Sequence, residues 1–520
     1  MSEREYVVSL VPGVDYDQFW HEMEHQSQAL PTVPDRAVTV SNERPGSLRS
    51  CHYMLTDAEA AVLAQDARVY SVEIPPDQRT DIRMGFLAQQ FSVFDKTTSS
   101  SGSFVNWGLR RSNSATNVYQ TGTTAPGAYD YTLDGTGVDV VIQDSGIQTD
   151  HPEFLDSEQN SRVQLINWYT ESGIPGTQSA NFYRDRDGHG THVAGIAVGA
   201  SYGWAKNSRI YSVKVAGLEG SGDSGTGISV ANCFDVIKLW HQNKPVDPIT
   251  GVKRPTVVNM SWGYMLPFDN ITGGNYRGTV WTGTSVRPEY GMVGTLSGGV
   301  REFVVRVGSV DSDLQELIDA GVHVTVAAGN SYQKVDVPSG DDYDNYFTSS
   351  VYGNIAYHRG GSPYSDQAIT VGSVDSTVFD VSTEYKSVFS ESGPGVMIYA
   401  PGSNIVSATS TVNSWGGNSQ NYYLNSSYRQ TNLSGTSMAA PQVAGVLCLY
   451  LQLNPWATPD QARAWLLHNS QSVIYNTGSS TDYTNDRSIK GSENRMLYNP
   501  FNQEHPLITS GVVGIQGLSL

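Results

Sequence analysis

Short apolar runs, alternating or continuous, are separated by Gly-, Asn-, Ser- and Pro-rich turns and divide the chain into two blocks. In the first, YVVSL (6–10) reads as a strand and DYDQFWHEMEHQ (15–26) as an amphipathic helix. SCHYMLT (50–56) is a second strand, DAEAAVLAQD (57–66) a helix with an acidic first turn, and VYSVEI (69–74) a strand closed by Pro75 and Pro76. The pattern predicts a small α+β module over 1–80. Polar turns and TTSSSGS (97–103) predict a flexible linker over 81–105. From 138 the rhythm changes. Strands VDVVIQ (138–143), RIYSVKV (209–215), TVVNM (256–260), VHVTVAA (322–328) and AITVGSV (368–374) alternate with helical runs at 190–199, 227–240, 311–321 and 437–452. Such alternation predicts an α/β domain over 106–500, with a central parallel sheet and helices on both faces. Stretches rich in Gly, Asn, Tyr and Thr at 264–300, 331–366 and 403–432 read as long surface loops, and 501–520 as a tail.

Composition narrows the function. The 520 residues, 38% hydrophobic, can bury a large core without disulfides. Cys51, Cys233 and Cys448 are widely spaced and form no CxxC pair, so neither a disulfide framework nor a zinc site is expected. A net charge of -19 argues against a nucleic-acid partner, whose phosphates need Lys and Arg. No apolar run nears the roughly 18 residues that span a bilayer, so no membrane span is expected. The start, MSEREYVVSL, lacks a basic region followed by an apolar one, so no signal peptide is expected. That suggests an intracellular setting, or a virus-encoded protein carried on or released with a particle.

Four segments carry candidate chemistry. In VIQDSGI (141–147) a buried strand ends at Asp144, where parallel sheets place their ligands. DGHGTHVAG (187–195) puts His189 between two glycines at a helix start. SGTSMAAPQVAG (434–445) puts Ser437 at the N-terminus of a small-residue helix, where free N–H groups favour a developing oxyanion. VTVAAGN (324–330) brings Asn330 to the end of another strand. Taken singly, each has an ordinary reading: an Asx-turn aspartate, a capping histidine, an N-cap serine, a turn asparagine. An HxxH metal pair of His189 and His192 is disfavoured, because Gly190 stands where a zinc protease carries its Glu.

Together the four segments, in this order and spacing, resemble the subtilase family of subtilisin and proteinase K type. IYSVKVAGLEGSG (210–222), VVNMSWG (257–263), YAPGSNIVS (399–407), TPDQARAWLL (458–467) and ENRMLYN (493–499) extend the resemblance over about 107–500. It implies a serine endopeptidase with a triad of Asp144, His189 and Ser437, and Asn330 in the oxyanion hole. Polypeptide substrates would pair between Gly220, Ser221, Gly222 and Ser261, Trp262, Gly263. The module over 1–80 resembles an inhibitor-type propeptide, implying a zymogen whose own N-terminal domain is its intramolecular inhibitor. FVNWGLRR (104–111) resembles the start of a mature domain. Trp262 and Tyr264 depart from the family pattern, which leaves the substrate pocket's shape outside what carries over.

The chemistry implied needs no cofactor. Structural calcium is common in the family, and the acidic loops at 183–187 and 341–344 are its candidate oxygen donors. An α/β-hydrolase is excluded, since the serine lies in GTSMA and the order is Asp, His, Ser. The remaining alternative is a protease-fold structural or binding component, for example of a virus particle.

Overall fold

The computed structural model describes residues 2–25, 32–86, 106–119, 131–215, 228–376, 383–412, 419–476 and 486–501. Its centre is a six-stranded sheet in the order Ile398–Pro401, Ile369–Val374, His323–Ala327, Thr256–Met260, Asp139–Asp144, Arg209–Lys214. Every neighbouring pair is parallel. All five of the strands expected from the alternating pattern lie in this sheet; Ile398–Pro401 is added at one edge. Residues such as Val140, Val141, Ile142, Val257 and Val258 are fully buried, as strands covered on both faces require. The chain leaves Asp139–Asp144 for one neighbour and later returns on its other side. The crevice at the carboxyl ends of Asp139–Asp144 and Thr256–Met260 is therefore a topological switch point.

Helix Thr436–Leu453 packs against the sheet, and its Gly445 lies against the Trp204 side chain. By length and composition this helix is apolar enough to cross a membrane, but 89% of it is buried inside the fold. Cys51, Cys233 and Cys448 are buried free thiols.

The three strands and two helices expected in the first block are present, and Val40–Asn42 adds a strand that was not expected. Arg4–Leu10, Val40–Asn42, Ser50–Leu55 and Val69–Glu73 form an antiparallel sheet. Helices Tyr16–Glu24 and Asp57–Leu63 accompany it, the second opened by a reciprocal Thr56–Glu59 capping box. Phe19, Met23, Tyr53, Leu55 and Leu63 form its own core.

Two expectations need correction. The stretches read as surface loops contain short paired strands. Trp262–Pro267 and Val300–Val305 pair in one sheet, while Ile271–Tyr276, Thr279–Thr282, Tyr346–Ser349 and Gly353–Ala356 form another. Phe268, Phe303, Phe347 and Tyr357 bury the junction between them. Paired glycines masked these strands: a Cβ on Gly273 would lie 2.5 Å from the Trp281 carbonyl oxygen. The linker expected over 81–105 also begins with an ordered strand, Arg83–Phe86, which pairs with Trp262–Pro267. The rest of that linker, 87–105, lies outside the described residues.

The N-terminal module is docked by charge. Arg44, almost wholly buried, donates to Asp235 at 2.6 Å and Asp313 at 3.0 Å, on helices Val230–Asn243 and Gly308–Asp319. Ser47 donates to Glu316 at 2.8 Å. Glu73 accepts from the backbone N–H of Gly308 and Ser309, neutralising the positive end of the second helix. Removing one member of a buried ion pair leaves the others desolvated and uncompensated. Arg44→Ala is expected to weaken docking by about 3–5 kcal/mol, seen as faster amide exchange across the Arg4–Leu10 and Ser50–Leu55 strands with the central sheet unchanged.

Candidate active site

Three of the candidate residues emerge at the switch-point crevice. Asp144 is the last residue of its strand, His189 the first of helix His189–Val198, and Ser437 the second of Thr436–Leu453. His189 Nδ1 lies 2.9 and 3.1 Å from the two Asp144 carboxylate oxygens. Both side chains are fully buried. This approach depends on two glycines. Gly146, at φ +113°, turns the chain after Asp144, and a Cβ on Gly190 would lie 2.2 Å from the Gly146 carbonyl oxygen.

A buried carboxylate ties these loops together. Asp185 accepts from Ser145 Oγ at 2.9 Å, from the N–H groups of Asp187, Gly188 and Thr191, and from the Thr191 hydroxyl. Ser145 Oγ in turn accepts from the Gly190 N–H. Burial raises the Asp185 pKa against the pull of these donors. His192 faces elsewhere: its Nε2 lies 3.1 Å from the Ile405 carbonyl, and burial pushes its pKa down to about 3. It is a neutral structural histidine.

Ser437 Oγ donates to the Ser261 carbonyl at 2.9 Å, and Ser261 Oγ donates back to the Ser437 carbonyl at 3.0 Å. Asn259 holds Ser261 Oγ, and Thr325 holds Asn259. His189 Nε2 has no hydrogen-bond partner among the described residues, so the Ser437–His189 bond is not made in this conformation. Asn330 Oδ1 accepts from the backbone N–H and hydroxyl of Thr436 at 3.0 and 2.9 Å. With that oxygen committed, the carboxamide nitrogen is the donor half of a group locked beside Ser437.

The crevice is occupied by the chain itself. Strand Arg83–Phe86 runs antiparallel to Trp262–Pro267, with Met84 opposite Tyr264, Gly85 opposite Gly263 and Phe86 opposite Trp262. Phe86 stacks on His189 at 4.4 Å between ring centroids, the rings 19° apart. Of the expected substrate-binding residues, Trp262 and Gly263 thus pair with this strand and Ser261 is the next residue along the chain, while Gly220, Ser221 and Gly222 lie outside the described residues. Trp262 contributes backbone only. Its ring is fully buried, near Phe234 and donating to Gln143 at 3.2 Å, so its departure from the family pattern fills the core and does not reshape a pocket.

Comparison with known proteins decides the family. The model of the subtilase family matches residues 135–495. The chain belongs to the subtilase family. It is 29% identical to an extracellular serine proteinase from a Thermus species, over 92% of this chain and 82% of that one. It is 28% identical to alkaline serine exoprotease A of Vibrio alginolyticus, over 81% of this chain but 56% of the relative. Among solved structures it resembles fervidolysin from Fervidobacterium pennivorans, a keratinolytic enzyme related to subtilisin, with a TM-score of 0.50 at 17% identity, covering 98% of this chain and 62% of that one; this likeness speaks to the fold. The subtilase is a serine endopeptidase of subtilisin type.

The acidic loops do not fit calcium. Asp185 is saturated by hydroxyl and amide donors, as described above. Asp342 accepts from Arg277 at 2.7 and 2.9 Å and from Lys334 at 2.9 Å, and Lys334 also binds Asp336. No cluster of three or more His, Cys, Asp or Glu side chains suited to a metal occurs among the described residues.

Electrostatics around His189 set a pH dependence. Burial by itself would lower its pKa from the ordinary 6.5, but the charge and hydrogen bond of Asp144 outweigh it and hold the pKa higher. A histidine acting as base must be neutral, so with His189 in that role activity would be lost as pH falls through that value. The acid limb of kcat/KM on a peptide without titratable groups is expected above pH 6.5, and Asp144→Asn is expected to shift it downward.

Proposed function

We propose that Ser437, His189 and Asp144 are the catalytic triad of this subtilase, that Asn330 completes its oxyanion hole, and that residues 2–86 act as an intramolecular inhibitor. The observation that carries the reading is the docked strand Arg83–Phe86. It lies along Trp262–Pro267 as extended polypeptide would, by β-augmentation, and ends against His189.

In the working enzyme, Ser437 rotates about χ1 from the Ser261 carbonyl to His189 Nε2. Oγ attacks the scissile carbonyl and passes its proton to Nε2. The oxyanion accepts from the Ser437 N–H and the Asn330 amide. Collapse breaks the C–N bond, with Nε2 returning the proton to the leaving amine, and water then releases the acyl group by the reverse sequence. Asp144 fixes the imidazole tautomer throughout and stabilises its charged form. Main-chain pairing reads polypeptide with little regard to most side chains, which supports broad specificity.

The docked strand also suggests where the zymogen is cut. Phe86, the last described residue of that strand, pairs opposite Trp262, the neighbour of Ser261, whose carbonyl accepts from the Ser437 hydroxyl. This favours a first self-cleavage one residue beyond Phe86, with Ala88 as the new N-terminus, over a cut near Phe104.

Intact mass and N-terminal sequencing of freshly made protein test this. The wild-type chain is expected to lose its first block and begin at or next to Ala88, while Ser437→Ala stays full length. An active wild-type chain that remains uncut, or a new N-terminus at Phe104, counts against this processing scheme. A fluorophosphonate is expected to label the processed wild type and not Ser437→Ala; no labelling would instead favour a structural role. Asn330→Ala is expected to lower kcat by about a hundred- to thousandfold with little change in KM, the loss typical of one oxyanion donor.

A further inference from the structure

The docked strand makes a contact beyond those expected of a backbone-reading cleft. Strand Trp262–Pro267 has Arg83–Phe86 on one side and Val300–Val305 on the other. Arg83 lies opposite Met265 and Glu302 opposite Pro267, two positions along the same strand. Side chains two apart share a face of a sheet, so Arg83 and Glu302 rise on one face with Met265 and Pro267 between them. The Arg83 guanidinium reaches across and meets the Glu302 carboxylate in a bidentate pair, Nε to Oε1 at 3.0 Å and Nη2 to Oε2. Gly85 leaves room for this reach, since a Cβ there would lie 2.9 Å from Arg83 Nη1. Met84 and Phe86 face the other way and pack against the core.

Glu302 itself is only 15% exposed and is fixed on both flanks, by pairing with Pro267 and with Thr295. It stands on strand Val300–Val305, which belongs to the small antiparallel sheet and not to the parallel core. We infer that Glu302 forms an extended substrate subsite that selects a basic side chain, arginine above lysine, three positions upstream of the residue stacked on His189. The inference rests on the reading above, that substrate takes the place of strand Arg83–Phe86. Arginine is favoured because its planar fork matches the carboxylate, whereas lysine offers a point charge. Arg83 is half exposed, so the effect is a modest, salt-sensitive preference.

The test uses peptides Xaa-Met-Gly-Phe-Leu ending in a fluorogenic amide, following the chain's own order at 83–87, with Arg, Lys, Gln or Glu as Xaa. For the processed enzyme at low salt, kcat/KM is expected to fall in that order, with Arg exceeding Glu by about fivefold. Molar salt, which shortens screening to about 3 Å, is expected to shrink the ratio toward one. Glu302→Gln is expected to do the same, and Glu302→Arg to invert it. Because the ratio is taken within each variant, a general loss of folded enzyme cancels. An Arg-to-Glu ratio equal in wild type and both variants would overturn the subsite while leaving the peptidase intact. Failure of the processed enzyme to cut any of the four peptides would remove the peptidase reading and the subsite with it.

Discussion

Two backbones in direct contact hold this site in register. The Gly146 carbonyl occupies the space where any side chain at position 190 would begin, so the turn after Asp144 and the first turn of the histidine helix touch without intervening atoms. That distance sets the 2.9 Å separation of His189 from Asp144, and Ser145 and Asp185 brace it from behind. A larger residue at either glycine would push the imidazole off the carboxylate, and positioning errors of about 1 Å are enough to cost orders of magnitude in rate. The hydroxyl, the carboxamide and the docked strand all take their places relative to this fixed pair.

The N-terminal module is attached at two separate places, and they act differently. Arg44 pairs with carboxylates on two helices and Glu73 with the N-terminal end of one of them, whereas Arg83–Phe86 enters the cleft through backbone pairing. While both are linked by one chain, each raises the local concentration of the other, so a strand with modest intrinsic affinity fills the cleft. The helix-side contact is buried and the cleft-side salt bridge is half exposed, which makes the cleft the looser end.

Much of this was legible before the fold was known, for reasons that differ by region. The parallel core strands are buried on both faces and read as continuous apolar runs, and the residues Asp144, His189, Asn330 and Ser437 sit in short segments whose glycines and small residues are required by close packing. The inserted sheets were not legible. Their strands are short, rich in Thr, Asn and Gly, and stabilised by the aromatic cluster around Phe268 and Phe347, whose partners lie far apart in sequence. Arg83–Phe86 carries four residues with no alternation of its own and becomes a strand only because an edge is waiting. Thr436 and Asp185, which orient the amide and brace the loops, look like ordinary polar residues. Only a buried acid flanked by several nearby donors would have marked Asp185.

The loop at 334–342 illustrates a different solution to a common problem. Its two buried carboxylates, Asp336 and Asp342, are neutralised by Lys334 and Arg277, cations that belong to the chain. An ammonium or guanidinium joined by covalent bonds cannot dissociate, so this corner of the fold does not exchange with the divalent ions of its surroundings. Its integrity therefore travels with the polypeptide into media where free calcium is scarce or variable.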